Sequence, residues 1–294
     1  MKPTSRIRSR LIALLLGLRM RAVRRNLAEG LRRITRRPHA LEVFLQLDDP
    51  YSYLLACYLP GLEACYDVEI SVHLTEALDG GFRPRPEMLA GYAQQDCERV
   101  ALELGLPFLD KGGAPPVEHR RGLVEVLAQT HGHPDHKDEV LRALSTYWRG
   151  DSEAATRLAE GVKPGAPGDS LLANNQAVLA KLGHYNPATI HYAGEWYWGV
   201  DRLHYLLARL DELGARRPGS DTSRLAAVQQ AMRVTLPVAP PSAAQDLPPL
   251  EFFFSFRSPY SYLAMQRVFR IADAFGLELR LRPVLPMVMR GMQV

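Results

Sequence analysis

Leu41-Glu42-Val43-Phe44-Leu45-Gln46-Leu47-Asp48-Asp49-Pro50-Tyr51-Ser52-Tyr53-Leu54 opens as a strand and turns into a helix. Leu41, Val43, Leu45 and Leu47 alternate with other residues, the period of two that one face of a strand requires. Asp49 then stands at an N-cap and Pro50 at the first helical position, with Tyr53, Leu54, Cys57, Tyr58 and Leu62 forming an apolar stripe. Val68, Ile70 and Val72 alternate again, so the segment reads as strand–helix–strand with a crossover long enough for parallel pairing.

The pattern returns without a gap at an offset of 209 residues. Leu250-Glu251 matches Leu41-Glu42, Phe253 matches Phe44, and Pro259-Tyr260-Ser261-Tyr262-Leu263 repeats Pro50-Tyr51-Ser52-Tyr53-Leu54 letter for letter. Leu277, Leu279 and Leu281 then stand where Val68, Ile70 and Val72 did. An internal repeat of this length predicts two units of one architecture.

Between the copies, Glu87–Leu104, Val117–His131, Asp135–Trp148, Ser152–Glu160 and Ser170–Leu182 read as helices separated by Gly/Pro breaks. A hairpin follows, with Thr189-Ile190-His191-Tyr192 and Glu195-Trp196-Tyr197-Trp198 as its arms and Ala193-Gly194 as its turn, and a last helix starts near Gly199. This order predicts an α/β chain: a thioredoxin-like domain over 39–213 with a helical insertion at about 84–182, a linker over 214–248, and the first half of a second thioredoxin-like unit over 249–294. The second unit has only its opening strand–helix–strand and reads as cut short at Val294.

Residues 1–38 carry twelve Lys/Arg against the single Glu29, a local charge of +11 that leaves −7 for the rest. The apolar run Leu11–Leu18 is too short to cross a bilayer of ~30 Å and has no cleavage site after it, which argues against export. Ile7, Leu11, Leu14, Leu15, Leu18, Ala22 and Leu31 recur at helical spacing among arginines, so the segment reads either as a basic amphipathic helix for an anionic membrane surface or acidic partner, or as a core-docked helix with a solvated basic face. Nucleic acid is not expected as a partner. Cys57, Cys65 and Cys97 include no C-x-x-C pair, which points to a reducing, cytoplasmic location, peripheral to a membrane if the basic helix binds one.

Phe252-Phe253-Phe254-Ser255-Phe256-Arg257-Ser258-Pro259-Tyr260-Ser261-Tyr262-Leu263-Ala264 resembles the opening of 2-hydroxychromene-2-carboxylate isomerases, and Gly194-Glu195-Trp196-Tyr197-Trp198-Gly199-Val200-Asp201-Arg202-Leu203 is similar to their final hairpin and helix start. These enzymes and the kappa-class glutathione transferases belong to the DsbA-type branch of the thioredoxin superfamily. The resemblance implies glutathione as cofactor, a small-molecule substrate, and a serine, here Ser258, in place of the active-site cysteine. A hydroxyl at a helix N-terminus can donate to a bound thiolate, whose charge the helix dipole and free N–H groups favour. The same Ser-Pro pair is also an ordinary helix start.

The equivalent residue of the first copy is Asp49, whose charge would raise a neighbouring thiol's pKa, so the first unit is expected to be inactive there and Asp49 to act as an N-cap. Ala188 stands where the superfamily has a cis-proline ahead of Thr189, with Pro187 one place early, and a trans loop is expected because a non-proline cis bond costs about 2.5–4 kcal/mol. Thr189 is the expected backbone partner of glutathione. Asp201 matches a family aspartate that contacts the γ-glutamyl amine and reads equally as an N-cap. Trp196, Tyr197 and Trp198 read as hairpin packing, and His131, His133 and His136 beside Asp135 as a solvated loop, with no metal site. The readings left open are a glutathione-dependent isomerase or transferase, a non-catalytic binding scaffold, and a disulfide oxidoreductase, the last lacking a cysteine at either helix start.

Overall fold

The computed structural model describes residues 17–76, 85–108, 117–148, 153–154, 157, 168–231, 235–238 and 247–285. The described residues fall into two compact units, one reaching to Ala231 and a second that carries the repeat. Most of the helix expected over Ser152–Glu160, and the N-terminal positions Ile7 to Leu15, lie outside the described residues.

In the first unit, α1 (Leu18–Ile34) precedes β1 (His39–Leu45), and two short helices, α2 (Pro50–Ala56) and α3 (Leu59–Cys65), lead to β2 (Val68–Leu74). The single helix expected after Asp49 is thus broken at Cys57-Tyr58. Pro60 has no N–H and its ring would meet the carbonyl of Ala56, so it is accommodated only in the first turn of a new helix. The helices α4 (Pro86–Leu104), α5 (Val117–Thr130), α6 (His136–Trp148) and α7 (Gly168–Lys181) form the insertion. The hairpin β3 (Thr189–Tyr192) and β4 (Glu195–Trp198) follows, then a 3-10 turn at Val200–Arg202, α8 (Leu203–Glu212) and α9 (Ser223–Ala231). Ala193 and Gly194 have φ of 50° and 83°, the left-handed pair that a tight two-residue turn needs to match strand twist.

The sheet order is β2-β1-β3-β4, with β1 and β2 parallel and the other pairs antiparallel. This is a thioredoxin-like sheet. β1 is its central strand, and Leu41, Val43 and Leu45 on one face and Phe44 on the other are all fully buried, so the simple alternation expected there gives way to burial on both sides. Residues 215–231, expected within a linker, pack onto this unit: Asp67 N donates to Ala215 O at 2.7 Å, Arg217 N donates to Cys65 O at 2.8 Å, and Leu225 and Val228 are buried.

α1 lies against the unit by its polar residues. Arg25 Nε donates to Glu195 at 2.8 Å, and Glu29, bonded to Arg32 and Arg33, is held down to a pKa of about 2, chiefly by the Arg32 hydrogen bond. Val23, Leu27, Leu31 and Ile34 stand exposed, at 47 to 82%, so the docked face is not the apolar one that a core-docked helix would present.

The second unit contains β5 (Leu250–Phe254), α10 (Pro259–Phe275) and β6 (Leu279–Pro283), with β5 and β6 parallel. Leu250 pairs with Leu279 as Leu41 pairs with Ile70, so the offset of 209 residues holds in the pairing register itself.

Candidate functional site at the starts of α2 and α10

The two helix starts share one hydrogen-bond scheme. In the first unit Asp49 Oδ2 accepts from Ser52 N at 3.0 Å and from Ser52 Oγ at 2.7 Å, while Ser52 Oγ accepts from Gln46 N at 3.0 Å. In the second, Ser258 Oγ accepts from Ser261 N at 3.3 Å and Ser261 Oγ accepts from Ser255 N at 3.1 Å. Both Asp49 and Ser258 are therefore N-caps with extended backbone, each followed by a proline that has no N–H to satisfy.

The caps differ in what they leave over. The Ser258 hydroxyl uses a lone pair to cap α10 and keeps its proton to donate to a further acceptor. The Asp49 carboxylate has no proton to offer when ionised, and burial outweighs the bonds from Ser52 to push its pKa up to about 6. Its surroundings are acidic. Tyr51 Oη donates to Asp96 at 2.7 Å, and Asp48, which adds to the rise in the Asp49 pKa, lies 3.3 Å from Arg120 Nε; Arg120 also pairs with Glu76 at 2.7 Å. Cys97 is fully buried near the same point, and burial, reinforced by Asp49 and Asp96, pushes its thiol pKa up. A thiol there is held protonated and unreactive. This pairing of α2 with α4 across some 45 residues left no pattern in the sequence.

No disulfide joins Cys57, Cys65 and Cys97, and Cys65 donates its thiol to Asp221 O at 3.1 Å. Thr189 is wholly buried, with Oγ1 3.4 Å from Asn186 O, and stands within the sheet opposite Phe44 of β1 and Trp198 of β4. Every described peptide bond is trans, and Ala188 adopts φ 54° with its carbonyl accepting from Gly199 N at 2.8 Å. Asp201 is not an N-cap: Gly199 and Arg202 occupy the two cap positions. The Asp201 side chain is half-exposed and folds back toward Gly199, where φ is 71° and an added Cβ would lie 2.7 Å from Asp201 Oδ1.

Trp196 packs as expected, stacked on His184 at 4.5 Å between ring centroids, and Tyr197 is buried with its hydroxyl donating to Glu195 at 3.0 Å; Trp198 is half-exposed. The histidine loop departs from expectation at His136. It opens α6, is buried, hydrogen-bonds Thr130 Oγ1 at 3.1 Å, and burial lowers its pKa to about 4, whereas His131 and His133 are exposed. Among the described residues no cluster of His, Cys, Asp or Glu could hold a metal ion, and no helix is long and apolar enough to cross a membrane.

No protein-family model matches the chain, and no curated protein matches it. Among solved structures it is similar to a 2-hydroxychromene-2-carboxylate isomerase, at 15% identity and a TM-score of 0.46, over 60% of this chain and 96% of that one. It is also similar to the cytosolic disulfide reductase DsbM from Pseudomonas aeruginosa, at 15% identity and a TM-score of 0.40, over 59% of this chain and 99% of that one. A structure of the same reductase with GSH gives 16% identity and a TM-score of 0.37, over 58% and 99%.

Proposed function

We propose that the chain is a glutathione-dependent isomerase or transferase of the thioredoxin superfamily, with its working site at Ser258 and a first unit that has lost the activity. The observation that carries this reading is the state of the two caps. Ser258 sits at the start of a 17-residue helix with a hydroxyl proton free to donate, and the positive end of that helix favours a thiolate. Glutathione would bind as the thiolate, add through sulfur to an unsaturated carbon of the substrate, and leave again after the rearrangement. At Asp49 a carboxylate, with Asp48 adding to its raised pKa, opposes the same ionisation. In the first unit the family resemblance would place glutathione contacts at Asp201 and Thr189, within the unit that this reading holds inactive.

Calorimetric titration of glutathione, with the bound thiol's pKa followed by thiolate absorbance, tests this. Ser258→Ala should weaken binding and raise that pKa, and Asp49→Ala should leave both unchanged. Binding that is lost on Asp49→Ala and untouched by Ser258→Ala would move the site to the first unit. Insulin reduction should stay at background, since neither helix start carries a cysteine.

A second reading, in which the first unit is a binding scaffold, is favoured by α1. Its exposed stripe of Val23, Leu27, Leu31 and Ile34 is flanked by six arginines against Glu29 and suits an anionic membrane surface. Vesicle association should fall with rising salt and on Leu27→Glu.

A further inference from the structure

A cleft of about 740 Å³ opens in the first unit where the residues after α1 meet the turn after α8, walled by Arg32, Arg36, Arg37, Asp67, Arg216 and Arg217. Most of these side chains are already engaged. Arg32 holds Glu29 through two bonds of 2.9 and 2.8 Å and donates Nη1 to Arg37 O at 2.9 Å. Arg216 grips Asp211 through bonds of 2.9 and 2.7 Å. Arg217 donates Nε to Tyr66 O at 2.9 Å and reaches Asp67 Oδ1 only at 3.4 Å. His39, also in the wall, is hydrogen-bonded to Tyr192 Oη, and burial, followed by Arg32, lowers its pKa, so it adds no charge at neutral pH.

Arg36 and Arg37 are exposed and have no side-chain hydrogen bond or ion pair among the described residues. With Glu29 shared by Arg32 and Arg33, Asp211 held by Arg216 and Asp67 reached by Arg217, the two cleft guanidiniums without a counter-charge among the described residues are those of Arg36 and Arg37. The ends of α1 and α8 bring helix carbonyls to the same place, and their partial negative charge works against an anion. The α1 carbonyls are already satisfied, however: Arg36 N donates to Arg33 O at 3.2 Å and Arg37 N to Arg32 O at 3.0 Å. This closing pattern normally takes glycine at the position of Arg36, where φ is 50°. An arginine kept there despite the strain is consistent with a use for its side chain.

We propose that the cleft binds the dianionic phosphate of a phosphomonoester, with Arg36 and Arg37 as its two ligating side chains and Arg217 at the edge. A phosphomonoester carries nearly two negative charges at neutral pH and takes the paired N–H donors of guanidinium in a planar fork. A carboxylate or a sulfate ester carries one and would leave a guanidinium unneutralised. The phosphate can come from a soluble metabolite or from a lipid headgroup.

The test uses the full chain with phenyl phosphate and phenyl sulfate as soluble probes, and vesicles of phosphatidylcholine carrying phosphatidic acid or phosphatidylserine at matched surface charge. If the source is soluble, phenyl phosphate binds at least about tenfold more tightly than phenyl sulfate, the Arg36→Gln/Arg37→Gln variant loses that preference, and the two vesicles bind alike. If the source is lipid, the chain prefers phosphatidic acid to phosphatidylserine and the same variant loses that preference. Arg36→Gly should melt at a higher temperature than the parent chain and still bind phosphate more weakly, which a purely structural role would not produce. Because neither side chain has a partner, the double variant should keep its near-ultraviolet circular dichroism. Binding that is equal in the parent and the folded double variant, or that is absent with every phosphate probe, overturns the proposal.

Discussion

The strand–helix–strand of the first unit and its repeat in the second have the same register and the same capping bonds, yet opposite exposure. Tyr53 and Leu54 are 4% and 0% exposed, while their counterparts Tyr262 and Leu263 are 75% and 67% exposed. Even the closing contact recurs, with Thr75 N donating to Leu45 O at 2.7 Å and Val284 N donating to Phe254 O at 2.8 Å. Among the described residues of the second unit only Phe254 and Ala272 are buried hydrophobics. Local geometry therefore does not need the core around it, because it is set by bonds between residues a few places apart. What the core adds to the first copy is burial, and with it the raised pKa of Asp49.

Truncating the same leucine in each copy gives the largest contrast. Leu54→Ala should destabilise the first unit by about 2–5 kcal/mol, the usual cost of a leucine-sized cavity, whereas Leu263→Ala should change stability by less than about 0.5 kcal/mol in urea unfolding. Equal losses would mean that the repeat's helix is covered in solution and would break the comparison.

Among the aligned positions at which the helices differ, the one that breaks the first and not the second is Pro60 in the first copy and Phe269 in the second. Phe269→Pro should cost the interior of α10 about 3 kcal/mol and strip hydrogen-exchange protection from the residues around it. Pro60→Ala should cost far less, since Pro60 lies in the first turn of α3, where no N–H is required.

The caps provide a comparison by pH. The folded pKa of Asp49 lies above its ordinary value of 3.8, at about 6, so folding favours the protonated carboxyl. Its contribution is fully present below about pH 4 and is lost as pH rises through 6. Asp49→Asn should flatten the stability profile over that window and stabilise the chain at pH 7 by on the order of 2 kcal/mol. Ser258→Ala should cost about 0.5–2 kcal/mol at every pH, seen as faster amide exchange in the first turn of α10. A pH-dependent loss at Ser258 would show that a charge of unsuspected origin faces it.

The features that depend on near neighbours were legible in the residues alone. Period-two alternation marked the strands, Asp49-Pro50 and Ser258-Pro259 marked the helix starts, Ala193-Gly194 marked the hairpin turn, and the repeat carried the register. Each rests on contacts within a few positions or on ungapped copying of a pattern. Pro60 was legible in principle, but the apolar stripe running through it obscured the break.

Tertiary structure alone decided the rest. His136 became a core residue because Thr130 and burial claimed it, and α1 turned its apolar stripe outward because Arg25 found Glu195, 170 positions away. The raised thiol pKa of Cys97 depends on Asp49 and Asp96 as well as on burial, and the arginine cleft on the meeting of Arg36 and Arg37 with Arg216 and Arg217. Charge and burial act through space, and the spatial neighbours of a residue far along the chain are chosen by the packing of the whole unit, so no local pattern in the sequence records them.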